Sequence, residues 1–300
     1  MYDLIILGGG PAGLTAAMYA IRKRLDVLLV SKNLGGKTNY RLALPWIEDY
    51  QVIRGLEVVS KFRNELEYLD FAHKLEPVEE VCRQSDGFVV RTKVQELPAR
   101  AVIVATGAKQ DFLNVPGERD FIMRGLCYSA LSYAPLFIDR SAVVVGDGSL
   151  ALRSTAELAL IAKQVYLIWM KDHIGTSPLE TKLVKAGNVE VMEGYRVKEI
   201  RGDQYARSML LDGPDGGATA IEADGFFIEK ALLPNSALVG ELVELDESGR
   251  IKIDCSNHTN IPGIFAAGDV TTSHAEQVLI SVGEGAKAAL SAYDYLLPFL

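Results

Sequence analysis

The sequence predicts an α/β protein made of two Rossmann-like, three-layer dinucleotide-binding domains. Three observations predict it. A short apolar run, residues 3–7 (DLIIL), leads straight into Gly8-Gly9-Gly10-Pro11-Ala12-Gly13. A second apolar run, 142–145 (AVVV), leads into Gly146-Asp147-Gly148-Ser149-Leu150-Ala151, 138 residues further on. A length of 300 residues suits two domains at roughly 150 residues each.

Each element of the first unit follows in order. Residues 3–7 form a buried strand, the stretch LTAAMYAIRKR a helix, and DVLLV (26–30) the second strand. This is G-x-G-x-x-G in its strand–turn–helix setting. Gly8 permits the tight turn, Gly10 lets a pyrophosphate approach the backbone, and Gly13 lets helix and strand pack closely. Pro11 and Ala12 open the helix, whose N-terminus offers free N–H groups and the positive end of its dipole. The acidic ribose ligand expected at the end of the second strand is replaced by Ser31, followed by Lys32. A hydroxyl bonds a ribose more weakly than a carboxylate does.

Composition excludes several classes. Apolar residues make up 49% and charged residues 23%, ordinary values for a globular chain. A net charge of −8 and the lack of a basic run argue against nucleic acid. No apolar run approaches the ~20 residues of a membrane span, and MYDLIILGGG enters a strand without a signal-peptide pattern. Cys82, Cys127 and Cys255 lie far apart and form no CxxC, so a reducing cytoplasm is the expected compartment. His73, His173, His258 and His274 show no metal spacing, and no metal is expected.

With Gly8–Gly13 in place, Gly35-Gly36, AVIVATGA (101–108) and GIFAAGDV (263–270) follow in an order that resembles the low-molecular-weight thioredoxin reductases. The resemblance covers essentially the whole chain. It implies FAD in the first site and a second, NADPH-type domain inserted between the halves of the first. The expected layout is therefore 1–113 plus 245–300 for the FAD domain and 114–244 for the second. Candidate hinges are Val115-Pro116-Gly117 and the stretch 240–247. The resemblance also implies FAD contacts from Ala105, Thr106, Gly107 and Gly268, and from Asp269 to the ribityl chain and pyrophosphate. The alternative for Asp269 is a helix cap. Lys37 stands where the family has Gln, and Glu276-Gln277, ahead of Val278, stands for an Arg-Gln pair whose region lies against the isoalloxazine. The family resemblance further implies a homodimer.

The second loop departs from the family further on. The strand QVYLI (164–168) is followed by Trp169-Met170-Lys171, where the family has His-Arg-Arg to grip the 2′-phosphate. A lysine is a point charge without the bidentate fork of arginine. Lys230-Ala231-Leu232-Leu233-Pro234-Asn235 lacks a family glycine, and Arg153-Ser154 replaces an acidic pair. NADPH is thus not expected. Either this domain is structural, or it takes a second FAD or NADH, with Trp169 stacking on the adenosine.

Between the two loops lies GLCYSALSYAP, 125–135. By resemblance, Ser129 and Ser132 occupy the redox-cysteine positions and Tyr133 that of the acid. A serine hydroxyl neither forms nor breaks a disulfide. Cys127 reads as a small buried hydrophobe, or as a redox thiol if another cysteine comes within about 7 Å between Cα atoms. Tyr128 and Tyr133 are candidates for a lid on the flavin.

The expectation is a cytoplasmic FAD oxidoreductase of thioredoxin-reductase-like fold. It would exchange electrons with a partner protein or second cofactor, without NADPH and without CxxC. The alternatives are a ferredoxin or flavodoxin reductase, a diflavin-linked enzyme with FAD in the second site, and a non-catalytic flavoprotein.

Overall fold

The computed structural model describes residues 1–48, 55–273 and 275–300, so His274 lies outside the described residues. Strands and helices are numbered in chain order. The chain begins with β1 (Tyr2–Gly9), α1 (Pro11–Arg22), β2 (Val27–Leu34), α2 (Gly55–Glu67) and β3 (His73–Leu75). β4 (Val78–Gln84), β5 (Gly87–Thr92), β6 (Glu96–Val104) and β7 (Ala108–Gln110) follow. Next come α3 (Glu118–Phe121), β8 (Leu126–Cys127), α4 (Ala130–Tyr133), β9 (Ser141–Gly146), α5 (Ser149–Ala159) and β10 (Gln164–Trp169). α6 (Pro178–Val184) precedes β11 (Val189–Glu193), β12 (Arg196–Gly202), β13 (Ala206–Asp212), β14 (Ala218–Glu222) and β15 (Gly225–Ile228). β16 (Leu232–Pro234), β17 (Ile264–Ala266) and α7 (Val278–Leu296) end the chain.

Two compact units result. The first is Met1–Asn39, Arg54–Lys109 and Leu233–Leu300; the second is Tyr40–Ile53 and Gln110–Leu232. The compact units divide at 109/110 and 232/233, beside borders expected at 113/114 and 244/245, and the piece after Asn39 falls in the second unit. Packing explains each shift. Phe112 and Leu113 pack against the second unit's core, and Pro116 accepts a hydrogen bond from the Ile200 N–H at 3.0 Å, so the chain enters the second unit before the Val115-Pro116-Gly117 turn. Val243 is buried in the first unit's core beside Ile251, which places 240–247 there. Leu42 and Leu44 are buried in the second unit's core beside Phe137 and Leu152.

The first unit is built on parallel strands in the order β3-β2-β1-β6-β17, while the antiparallel pair β4-β5 extends from the start of β6. β1 lies between β2 and β6 and is covered on both faces, which is why its sequence is continuously apolar rather than alternating. Leu4 and Ile6 pack with α1 and α7 residues such as Leu14 and Ala288. Ile5 and Leu7 pack on the other face with Phe88, Val239 and Ile251. Each such side chain contributes about 1.5–3 kcal/mol by leaving water. α1 starts at Pro11, three residues before the stretch read from the sequence, because proline suits the first helical position. β2 continues to Leu34 and so carries Ser31 and Lys32.

The second unit repeats the plan with an all-parallel sheet, β11-β10-β9-β15-β8, and an antiparallel sheet, β12-β13-β14. Val144 and Leu167 face α5 residues such as Leu152, whereas Val143 and Ile168 face Met209 and Leu211 of β13. In each unit the glycine loop follows the C-terminal end of a central parallel strand, the place where α/β sheets bind ligands.

Candidate functional site

In the first unit the loop is shaped by two close approaches. Gly8 has φ +110, and a Cβ there would lie 2.3 Å from the Ala105 carbonyl oxygen, so no side chain fits. A Cβ on Gly36 (φ +57) would be 3.1 Å from the Gly10 Cα, which brings the Gly35-Gly36 turn against the loop. The Gly35 N–H donates to the Gly9 carbonyl at 2.7 Å and fixes that approach. Gly10 differs: a Cβ there would meet nothing within 4 Å. It is the N-cap of α1, with no side-chain cap and no acid in the first turn. Uncapped N–H groups beside an open glycine make a cradle for an anion.

Around this cradle sit the other residues singled out in the sequence. The Ser31 hydroxyl accepts from the Gly9 N–H at 2.8 Å and donates to the Asn33 carbonyl at 2.8 Å, so it braces the loop as well as marking the end of the apolar part of β2. Lys32 is exposed. Ala105 donates its N–H to Leu7 at 2.8 Å, and the Thr106 hydroxyl donates to the Asn235 carbonyl at 2.8 Å. Gly107 (φ +67) accepts from the Asn235 N–H at 2.9 Å. Gly268 packs on Ala12, and Lys37 Nζ pairs with Asp269 at 2.9 Å. Glu276 is paired with Arg250 at 2.5 Å, and Gln277 is the N-cap of α7, which begins at Val278 without a side-chain cap.

Two functional candidates were invisible in the sequence. Arg250 donates to the Asp269 carbonyl at 3.0 Å and holds Glu276, while buried Glu284 accepts from the Gly268 N–H at 2.6 Å. Neither belongs to a motif, and each acts through a partner 16 or more residues away. The open glycine, the uncapped helix and the polar groups at Lys37 and Asp269 fit the diphosphate and polyol of FAD.

The second unit keeps the loop backbone. A Cβ on Gly146 would be 2.3 Å from the Glu229 carbonyl and 2.7 Å from the Ala151 Cβ, whereas one on Gly148 would meet nothing within 4 Å. Ser149 is exposed at the start of α5, which has no side-chain cap, and Leu150 is half-buried. The stacking role expected of Trp169 is corrected. Its side chain is only 4% exposed, packed in the unit's core, and its indole N–H donates to the His173 carbonyl at 3.0 Å. As the last residue of β10 it points into the layer that buries Leu167, so period-two alternation takes it inward. Lys171, the one cation left of the expected grip, donates to the Asp147 carbonyl at 2.7 Å within the loop itself.

The Ser129–Ser132 segment is a short turn of helix. Ser129 is the N-cap of α4, and its hydroxyl donates to the Ser132 hydroxyl at 3.0 Å. The Ala130 N–H donates to the buried Glu229 carboxylate at 2.6 Å. Tyr128 is not free to serve as a lid, which corrects that expectation. Its hydroxyl donates to buried Glu118 at 3.0 Å, and its ring meets Phe112 edge-on at 5.4 Å. Glu118 also accepts from the Leu113 and Asn114 N–H groups, at 2.9 and 2.7 Å. Burial and the Glu118 charge push the Tyr128 hydroxyl pKa up. Tyr133 packs against the core that holds Cys127 and Phe137.

Cys127 is fully buried and its thiol is pushed well up by burial, so it is no ready nucleophile. All three cysteines are free; Cys82 is half-buried and Cys255 exposed. Among the described residues no group of three or more His, Cys, Asp or Glu could hold a metal ion, and no helix is long and apolar enough to cross a membrane.

Comparison with known proteins agrees with this architecture. Residues 2–285 match the family described as pyridine nucleotide-disulphide oxidoreductase. The F subunit of alkyl hydroperoxide reductase from Staphylococcus aureus is 33% identical over 305 aligned positions, covering 99% of this chain and 59% of the relative. The chain thus spans less than two thirds of the length of the curated relatives it matches. The crystal structure of thioredoxin reductase from Streptococcus pyogenes superposes with a TM-score of 0.90 at 33% identity, covering 100% of this chain and 99% of that one. Thioredoxin reductase from Giardia duodenalis gives 0.86 at 26% identity, with 99% of each chain covered. The chain belongs to the pyridine nucleotide-disulphide oxidoreductase family and has a thioredoxin-reductase-like fold.

Proposed function

We propose that this FAD oxidoreductase exchanges electrons with a partner protein or a second cofactor, using neither a CxxC dithiol nor NADPH. The observation that carries the reading is the 3.0 Å hydrogen bond between the Ser129 and Ser132 hydroxyls. Two hydroxyls at the positions of a redox pair hold the geometry of such a pair without its chemistry. FAD supplies the electron-transfer chemistry when bound. The chain's own part is to bind and orient. Gly8, Gly10 and Gly13 with the α1 N–H groups would cradle the diphosphate, Gly35–Lys37 and Asp269 would flank it, and Gln277–Val278 would present a second uncapped helix end. Ala105–Gly107 would complete the wall behind the loop.

The second loop supports the exclusion of NADPH. Lys171, the one cation of the Trp169-Met170-Lys171 stretch, is bonded to Asp147 of the loop. Gly148 stays open to a dinucleotide diphosphate, and the loss of the arginine pair favours one without a 2′-phosphate, NADH or a second FAD. The S. aureus relative is named as one subunit of a reductase, and that name favours electron exchange with a partner protein.

The test is direct. The flavin of the purified protein is reduced chemically under anaerobic conditions, then mixed with oxidised thioredoxin. The expected result is no thiol formation beyond the uncatalysed rate, with about one FAD per chain if only the first site is filled. Thioredoxin turnover would contradict the reading.

A further inference from the structure

Lys37 and Asp269 come from opposite ends of the first unit and meet at 2.9 Å. The two members of the pair are held very differently. Asp269 is fixed from several sides: Arg250 donates to its carbonyl at 3.0 Å, and the Ser281 hydroxyl lies 3.4 Å from its Oδ1. The preceding Gly268 N–H is anchored on Glu284 at 2.6 Å. Arg250 is itself tied to Glu276 and approaches the Thr271 carbonyl at 3.4 Å. Lys37 has a side chain 38% exposed, against 17% for Asp269, and among the described residues its ammonium bonds Asp269 alone.

The pair also flanks the first turn of α1 on both sides. A Cβ on Gly36, the neighbour of Lys37, would lie 3.1 Å from the Gly10 Cα. One on Gly268, the neighbour of Asp269, would lie 3.1 Å from the Ala12 Cβ. A half-exposed cation therefore stands beside an uncapped helix N-terminus and an open glycine.

We propose that Lys37 is a shared counter-ion that selects for the diphosphate of the dinucleotide. This rests on the FAD reading above. An ammonium has three donors, so one can stay on Asp269 while another turns to a phosphate oxygen. Before binding, Asp269 keeps the lysine beside the cradle; on binding, the diphosphate takes a share of its charge. A neutral amide at position 37 can hydrogen-bond but carries no charge to share, so the contact is charge-assisted only with lysine or arginine.

The experiment uses apo-protein and FAD titration at low and high salt, for wild type, Lys37→Gln and Lys37→Arg. One lost charge-assisted contact predicts a Kd about tenfold or more weaker for Lys37→Gln at low salt. Its salt dependence should also be shallower than that of wild type, because one screened contact is gone. Lys37→Arg should keep most of the affinity and the wild-type salt dependence. Apo-protein melting should be unchanged, since an exposed ion pair adds little to stability. A Lys37→Gln variant that binds FAD with wild-type affinity, or with an unchanged salt dependence, overturns the proposal. Wild-type protein that fails to bind FAD overturns the FAD reading itself, and the proposal with it.

Discussion

Gly8 and Gly10 lie two residues apart and make opposite demands on the chain. At Gly8 a Cβ would collide with Ala105 backbone, and the φ of +110 is closed to other residues. Gly8→Ala should therefore destabilise the protein by about 1–3 kcal/mol, measured by chemical denaturation. At Gly10 the space is free. Gly10→Val should fold with a melting midpoint near that of wild type yet purify colourless, because its side chain fills the cradle. A yellow, fully loaded Gly10→Val protein would show that this loop does not hold the diphosphate. The cysteines give a second test at this scale. Burial holds the Cys127 thiol protonated, whereas Cys255 is exposed and Cys82 half-buried. A thiol reagent at pH 8 should label Cys255 first and Cys82 more slowly, and should reach Cys127 only in denaturant, as read by peptide mass. Labelling of Cys127 in the native protein would reopen a redox role for it. Both glycines were legible in the sequence because their chemistry is local, a spacing between a strand and a helix. Arg250 and Glu284 were not legible, because each is defined by a distant partner on the Gly268–Asp269 turn.

At the scale of elements, α4 is on the proposed reading a redox turn whose two thiols are replaced by hydroxyls. The hydroxyls of Ser129 and Ser132 are 3.0 Å apart across one helical turn, so their Cβ atoms lie within reach of disulfide geometry. The double change Ser129→Cys with Ser132→Cys should form an intramolecular disulfide in air, seen as the loss of two titratable thiols. Failure to oxidise would mean that the turn does not place these side chains together. Tyr128 shows why the sequence misled here. An aromatic residue next to a redox segment suggests a lid, but the chain returns Glu118 to its hydroxyl and Phe112 to its ring, and burial follows. Trp169 was misread for a related reason. The sequence places it at the right strand end, but which face it takes depends on the register of β10 against β9, where Trp169 pairs with Gly146. The parallel strands themselves were legible, since runs such as DLIIL and AVVV are apolar without alternation. The borders of the units were not. A turn such as Val115-Pro116-Gly117 has the composition of a connection whether it joins two units or lies inside one.

At the scale of the molecule, FAD on the proposed reading occupies the first unit, and the second is left without the paired arginines that would recruit NADPH. We also propose a homodimer, in keeping with Leu279 and Leu290, which are exposed on one face of α7. Light scattering should then give a mass near twice 32.7 kDa, and a monomeric mass would contradict it. The electron donor is the property most exposed to test. On this proposal, two missing charge-assisted contacts to a 2′-phosphate, at about 1.5–3 kcal/mol each, should weaken NADPH roughly 100-fold or more. Anaerobic stopped-flow mixing of the FAD-loaded protein with micromolar NADPH tests this most directly, followed at the flavin absorbance band. The band should persist over seconds to minutes and fall only when a different electron source is supplied; rapid bleaching by micromolar NADPH would show that the second unit still delivers hydride from NADPH.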